Sequence, residues 1–356
     1  MNTRLIKLQE KLKDIADGVI VTDEKNIRYL CGFDYTDGYL VISSTKAKLV
    51  CDFRYIEAAK NEGDSSFEVF MMSGPRKEWL SAMLSEMNIK TLAFEDNAMT
   101  VKAHSDLQKD VGEVTLVPLG PVITELREYK DETEMNNMIA AQRIAEKAFE
   151  HILGFITPER TEREIALELD FEMRRLGASG SSFETIAVSG TASSMPHGVP
   201  RNCKLEKGFL TMDFGALYNG YCSDMTRTVC IGKADDDMKH MYNTVLEAQL
   251  RAIEAMHHGI NSKDADAIAR DIIYNNGYKG YFGHSLGHGV GMDIHEAPSV
   301  SPNGEGKALT TGHVVTCEPG IYIEGKYGVR IEDMLFFYPD KVVDITKTAK
   351  DLIEIY

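Results

Sequence analysis

Short apolar runs alternate with amphipathic stretches over the first third of the chain, and the rhythm changes near Thr124. Runs at 18–21, 39–42, 48–51, 68–71, 91–94 and 115–117 are brief and rich in Val, Leu and Phe, which predicts strands. Segments 54–60, 77–86 and 101–110 lie between them and read as helices. Together they predict an α/β layered domain with a mixed sheet over 1–124. Beyond it, 130–153 reads as a long amphipathic helix with Met135, Ile139, Ile144, Ala148 and Ile152 inward. Thr161 followed by Glu164 has the spacing of a capping box and opens a second helix over 162–176. Two more helices are predicted over 236–257 and 262–275. Helices interleaved with hairpins, rather than with single strands, predict an α+β domain over 125–356.

Two of those hairpins carry the candidate chemistry. The first runs 209–216, a turn around Tyr218-Asn219-Gly220, then 221–229; the second runs 313–323, a turn around Gly325, then 328–336. Asp213 and Asp224 are equidistant from the first turn centre, and Glu318 and Glu332 from the second. Each hairpin is therefore expected to set one carboxylate per strand on a shared face, unless a bulge shifts the register. Four carboxylates in a core are intolerable without a cation. Close by in sequence, FGHSLGHGVGMDIHE (282–296) scatters His284, His288 and His295 among glycines, and His197 sits in the turn MPHGVP. Glycine lets a backbone approach a ligand closely. Mixed oxygen and nitrogen donors suit a pair of Mn²⁺, Co²⁺ or Zn²⁺ ions better than Mg²⁺ alone. Two such ions holding a bridging hydroxide perform hydrolysis. On residue chemistry alone the reading stops at a metal-dependent hydrolase.

Composition narrows the partners. Apolar residues make up 43% and charged residues 26% of the 356, the balance of a globular chain. Thirty-nine basic against 55 acidic residues leave a net charge of −16, which repels phosphate backbones and argues against nucleic acid. The longest apolar runs are about five residues, whereas a membrane helix needs about 20. No signal-peptide pattern opens the chain, so the expected location is cytoplasmic and off the membrane. Six cysteines without a CxxC pair exclude a zinc knuckle or iron–sulfur site and fit reduced thiols.

The segments PHGVP, MDFGALYNGYCSDMTRTV, GHSLGHGVGMDIHE, EPGIYI and GVRIED occur in that order. With 127–134 they extend over about 230 residues. In this they resemble the pita-bread metallopeptidases, specifically the Xaa-Pro aminopeptidase and Xaa-Pro dipeptidase (prolidase) group. The resemblance implies a pita-bread catalytic domain over 125–356 behind a creatinase/prolidase-like accessory domain over 1–124. It implies two divalent ions, Mn²⁺ foremost with Co²⁺ or Zn²⁺ as alternatives. Asp213 would be the bidentate ligand of one ion and Asp224 and Glu332 the bridging carboxylates, with His288 and Glu318 completing the second ion. His295 would donate to the scissile carbonyl oxygen, His197 would orient substrate from the opposite wall, and Glu318 would shuttle a proton. His284 either lines the proline-side pocket or supports the ligands. Arg330 either contacts substrate or partners the local carboxylates.

The implied reaction is attack of a metal-bound hydroxide on the Xaa–Pro bond of small peptides with proline at the second position. The leading expectation is the aminopeptidase, acting on tripeptides and longer. The dipeptidase is the alternative, and it differs in having the primed side closed, for instance by a basic residue meeting proline's carboxylate. A non-catalytic peptide-binding protein and a non-peptidase amidohydrolase are the more remote readings. A homodimer is implied by the resemblance alone. The chain departs from the family pattern at Gly208-Phe209, where Gly-Asp is common, at Cys317 beside Glu318, and at 256–259, which lacks a proline. Cys317 is expected in the core by strand alternation, and His257 and His258 at the surface.

Overall fold

Leu5, Leu8 and Leu12 recur at helical spacing and are buried along one face of α1 (Thr3–Leu12). Asn2 caps this helix, its side chain accepting the Leu5 N–H at 2.9 Å. Neither α1 nor α2 (Glu24–Cys31) was among the helices expected from the pattern, although Asp23 caps α2 and Gly32 ends it in the left-handed conformation. The computed structural model describes residues 2–356, which form two units, the first ending at Arg127 and the second running Glu128–Tyr356.

In the first unit, β1 (Gly18–Val21), β2 (Tyr39–Ser43), β3 (Ala47–Cys51), β4 (Glu68–Met71), β5 (Thr91–Phe94) and β6 (Thr115–Pro118) form one sheet. Its order is β4-β3-β2-β1-β5-β6. The β1–β2 and β2–β3 pairs are antiparallel and the other pairs parallel, so the sheet is mixed, as the alternating pattern predicts. Helices α3 (Ile56–Glu62), α4 (Arg76–Glu86), α5 (Val101–Val111) and α6 (Val122–Arg127) complete the unit. Ile20, Val41, Val50 and Leu92 of the sheet pack in one cluster with Leu80, Met83 and Leu84 of α4 and Leu107 of α5.

The second unit opens with α7 (Glu132–Phe155) and α8 (Glu162–Arg175), each started by a reciprocal capping box, Asp131 with Glu134 and Thr161 with Glu164. Strands β7 (Gly180–Ser181), β8 (Ile186–Ser189), β9 (Gly208–Phe214), β10 (Ala216–Tyr218), β11 (Tyr221–Cys222) and β12 (Met225–Ile231) follow. Then come α9 (Asp236–Ala255), α10 (Ser262–Ile273), β13 (Gly287–Gly289), β14 (Glu296–Val300) and β15 (Val314–Cys317). The last strands are β16 (Gly320–Ile323), β17 (Tyr327–Arg330), β18 (Asp333–Phe337), β19 (Val342–Asp344) and β20 (Glu354–Ile355). One sheet is ordered β20-β12-β9-β8 and another β14-β13-β15-β18-β19, with β16–β17 as a separate ribbon.

Two cores serve this unit. Ala145, Phe149, Leu169 and Met173 of α7 and α8 pack on Leu210, Met212 and Phe214 of β9. Met241, Val245, Ala265 and Ala269 of α9 and α10 pack on Val315 and Cys317 of β15 and Leu335 of β18. The N-cap residues of α8 and α10, Thr161 and Asn261, each form an isolated antiparallel bridge, to Lys204 and Ala308. Two helix pairs on two strand pairs, entered in the same way, give the unit an internal two-fold repeat. Cys317 is fully buried in its core, and His257 and His258 are exposed. All six cysteines are free. Among the described residues, no helix is long and apolar enough to cross a membrane.

The register of the first hairpin differs from the expected one. Asp213 stands opposite Thr226, and Tyr218 opposite Tyr221. The turn is the two-residue pair Asn219-Gly220, both with positive φ, 47° and 79°. That turn matches strand twist and moves the pairing centre toward the C-terminus. Asp224 is thereby one diagonal step from Asp213 on the same face, still a neighbour. In the second hairpin Cys317 pairs with Asp333 and Gly320 with Arg330, which leaves Glu318 opposite Glu332 as the spacing predicts.

Candidate metal centre

The four carboxylates and three histidines of the motifs meet in one cavity of about 970 Å³, lined also by His197 and Arg330. Asp213 comes from the end of β9, Asp224 from the residue before β12, and Glu318 and Glu332 from the facing gap between two strand ladders. His288 lies at the middle of β13. Asp224, His288 and Glu332 each offer a ligand atom, all within 4.8 Å of one another. His288 Nε2 is 3.6 Å from Asp224 Oδ2 and 3.3 Å from Glu318 Oε1. Asp224 and Glu332 are only 4% and 2% exposed.

This arrangement is short of positive charge. Burial first, then the charges of Glu332 and Asp213, push the Asp224 carboxyl well above the usual carboxylate range. Burial followed by the charges of Glu318 and Asp213 does the same to Glu332. Glu318 is pushed up to about 8, mainly by burial, with Arg330 working against the rise and Asp213 adding to it. Asp213 Oδ1 is buried and has no hydrogen-bond partner among the described residues. Such a set either takes up protons or takes up cations, and its donors, four carboxylates and one bare imidazole nitrogen, fit divalent ions.

The imidazoles are oriented by what they already touch. His288 Nδ1 lies 3.1 Å from the Gly289 carbonyl, so that nitrogen carries the proton and Nε2 presents its lone pair to the carboxylates. Burial and the neighbouring His295 hold His288 down at about 4, in the neutral form a ligand needs. His284 donates from Nδ1 to the Ser285 carbonyl at 2.8 Å and accepts at Nε2 from Tyr322 Oη at 2.9 Å. Both its nitrogens are engaged within the protein, and the ring lines the cavity. His295 meets His288 edge to face, ring centroids 4.3 Å apart, and His197 stands on the same cavity wall as Pro196 and Val199.

Arg330, 3% exposed, uses its guanidinium inward. It donates to Asp213 Oδ2 at 2.5 Å, Tyr322 Oη at 2.8 Å, Thr226 Oγ1 at 3.0 Å and the Pro196 carbonyl at 3.3 Å. Thr226 in turn donates to Glu332 Oε2 at 2.7 Å, and Thr316 to Glu318 Oε1 at 3.2 Å. Tyr322, Thr226 and Thr316 were not singled out from sequence. Strand alternation held the signal: Tyr322 and Glu318 are an even number of residues apart, and Thr226 is two residues from Asp224. The glycines of the histidine stretch have a second explanation. A Cβ on Gly287 would lie 2.0 Å from the Thr316 carbonyl oxygen, so its smallness serves strand packing as well as access.

A second group, His151 with Glu168 and Glu172, also places ligand atoms within 4.8 Å. It lies at the surface of α7 and α8, where His151 already meets Glu168 at 2.7 Å and Glu172 is paired with Arg175.

Comparison with known proteins gives the family. The metallopeptidase family M24 model matches residues 136–337, and the creatinase/prolidase N-terminal domain model matches 4–129. The chain is 41% identical over 350 residues to the uncharacterized peptidase YqhT of Bacillus subtilis, covering 97% of this chain and 99% of that protein. It is 37% identical to the Xaa-Pro dipeptidase of Pyrococcus horikoshii, covering 99% of each. Among solved structures, the Xaa-Pro dipeptidase from Bacillus anthracis superposes with a TM-score of 0.95 at 40% identity over 99% of each chain. The X-Pro aminopeptidase from Thermotoga maritima superposes with a TM-score of 0.91 at 34% identity, over 97% of this chain and 100% of that one. The protein thus belongs to metallopeptidase family M24, as a pita-bread hydrolase of the Xaa-Pro aminopeptidase and prolidase group with a creatinase-type N-terminal domain.

Proposed function

We propose that this protein is an Xaa-Pro aminopeptidase, which hydrolyses the bond before a proline at the second position of a peptide. Two divalent ions, Mn²⁺ foremost, would be held by Asp213, Asp224, His288, Glu318 and Glu332. Bound there, such ions supply Lewis acidity, acidifying water and polarising the scissile carbonyl. The chain's own groups do the rest. His288 keeps its lone pair toward the carboxylates through its bond to Gly289. Glu318 is placed to take a proton from the attacking water and pass it to the departing prolyl nitrogen. His295, with its ring exposed to the cavity, donates to the carbonyl oxygen as charge develops there. His197 orients the peptide from another wall, and His284, braced by Tyr322, bounds the proline ring.

One observation favours the aminopeptidase over the dipeptidase. Among the described residues lining the cavity, Arg330 is the only Lys or Arg. Four of its donors are already committed inward. No cation is left on this wall to clamp the carboxylate of a terminal proline, and the cavity is at the upper end of the roughly 300–1,000 Å³ usual for small-ligand sites. The dipeptidase reading is supported instead by relatives, since proteins 37% and 40% identical bear that name. Product analysis separates them. Metal-stripped protein given Mn²⁺ is offered Xaa-Pro and Xaa-Pro-Yaa at equal concentration. Release of Xaa from the tripeptide is expected. Cleavage confined to the dipeptide would reverse the assignment, and no metal-dependent cleavage of either would remove it.

A further inference from the structure

His295 has an unusual dependence on its backbone. Its exposed ring lines the cavity, and among the described residues the ring it meets is that of His288, edge to face. The position of the imidazole is therefore set by the loop between β13 and β14. That loop is closed by Glu296, whose Oε1 accepts the Asp293 N–H at 2.9 Å. The Glu296 carboxylate occupies the space a side chain at position 291 would need: a Cβ on Gly291 would come within 2.6 Å of it. The turn is tightened further by the Gly291 N–H bonding the Asp293 carbonyl at 3.0 Å.

The other carboxylate oxygen of Glu296 is held from outside the loop. Lys130 Nζ lies 3.1 Å from Glu296 Oε2, and the two side chains are 1% and 8% exposed. Lys130 is itself fixed, its backbone N–H bonding the Gly312 carbonyl at 2.8 Å and its Nζ reaching the Glu128 carbonyl at 3.4 Å. An ion pair this deeply buried is a poor source of net stability, because desolvation offsets much of the attraction. Its geometric effect is strong, since an unpaired charge on either partner is costly.

We propose that Lys130 is a positioning residue, which acts through Glu296 to hold the Asp293–His295 loop and thereby aims His295 at the reacting carbonyl. The inference rests on the role given to His295 above. The charged ends of Lys130 and Glu296 meet each other and, through Glu296, the Asp293 N–H, and neither is one of the five groups that would hold the metal. Losing the pair therefore lowers turnover without weakening the metal site.

The test compares Lys130→Met, Glu296→Gln, the double variant and His295→Ala with the parent protein, all loaded with Mn²⁺. For Lys130→Met the expected result is a fall in kcat of about 10- to 100-fold, the cost of a displacement of about 1 Å at a reacting group. KM and the Mn²⁺ affinity by calorimetry stay within about three-fold. The double variant, which buries no lone charge, recovers part of that loss. Should Lys130→Met fail to fold, Glu296→Gln carries the same comparison. A kcat within two-fold of the parent in both single variants, or a fall only in step with lost Mn²⁺ binding, overturns the proposal. His295→Ala separates the two levels. Normal turnover there removes the role of His295, whereas a crippled His295→Ala beside a normal Lys130→Met removes the positioning device alone.

Discussion

His288 Nδ1 is tied to the Gly289 carbonyl, which leaves Nε2 bare and aimed at Asp224 and Glu318. The carboxylates are held in the same way, as where Thr226 Oγ1 donates to Glu332 and receives from Arg330. Replacing Thr226 by Val keeps the shape and removes both bonds. Because such supporting hydrogen bonds orient metal-ligating carboxylates, Thr226→Val is expected to weaken Mn²⁺ binding about 10- to 100-fold by calorimetry. An affinity within two-fold of the parent would mean Glu332 needs no such support. Much of this was legible from residue types: the carboxylates and histidines singled out in the motifs all line the cavity. The bonds that orient them were not, because Tyr322, Thr226 and Thr316 read in isolation as ordinary strand residues.

A histidine outside the cavity gives a stability prediction. His313 is fully buried; its Nδ1 accepts the Thr310 N–H at 3.0 Å, and its Nε2 has no hydrogen-bond partner among the described residues and lies 4.0 Å from Glu128 Oε2. Burial, helped by Lys307 and Lys130, holds it down at about 4 from an ordinary 6.5. The unfolded chain binds the proton first, so this contribution is complete above pH 6.5 and is lost as pH falls toward 4. Relative to His313→Leu, the parent should lose up to roughly 3 kcal/mol between pH 7 and pH 4 in urea melts. A constant difference across that range would refute it.

At the scale of elements, the hairpin of β9 and β12 decides where two carboxylates go. Between them Gly215 passes so close to its partner strand that a Cβ would lie 1.8 Å from the Ser223 carbonyl oxygen. Ser223 answers by bonding the Ala216 N–H with its hydroxyl at 2.9 Å. Gly215→Ala must open this pinch and is expected to cost roughly 3 kcal/mol by chemical denaturation. It should displace Asp224 enough to weaken Mn²⁺ binding as well. Unchanged stability and affinity would show that the close approach can relax freely. The expected register of this hairpin was off because the turn was centred too early, on a triplet that includes Tyr218, which belongs to β10 and pairs with Tyr221. Asn219-Gly220, with positive φ at both, is the pair that closes it. The second hairpin turns at Gly325 and its symmetric spacing held. Helix α1 carries its period in only three residues, Leu5, Leu8 and Leu12, among scattered charges, a weak signal for so short a helix.

For the whole molecule, the second unit buries a set of mutually repelling carboxylates, and cations that bind only the folded state stabilise it by mass action. At 100 times its dissociation constant, one ion contributes about 2.7 kcal/mol. Stripping the metal should therefore lower the thermal midpoint, and Mn²⁺ should restore it with a concentration dependence that Glu332→Gln abolishes. An identical midpoint with and without Mn²⁺ would oppose a metal site in the folded chain. The helices and hairpins of the second unit were readable in the sequence, because amphipathic period and turn chemistry are local. The assignment of each core to one helix pair was not, since packing partners are far apart along the chain.

The most direct measurement is an anomalous difference map from crystals soaked in Mn²⁺, with data collected on both sides of the manganese absorption edge. Two peaks enclosed by Asp213, Asp224, His288, Glu318 and Glu332 are expected. A map empty at that cluster, or one with a peak only beside His151, Glu168 and Glu172 on the surface, would contradict the proposed metal centre.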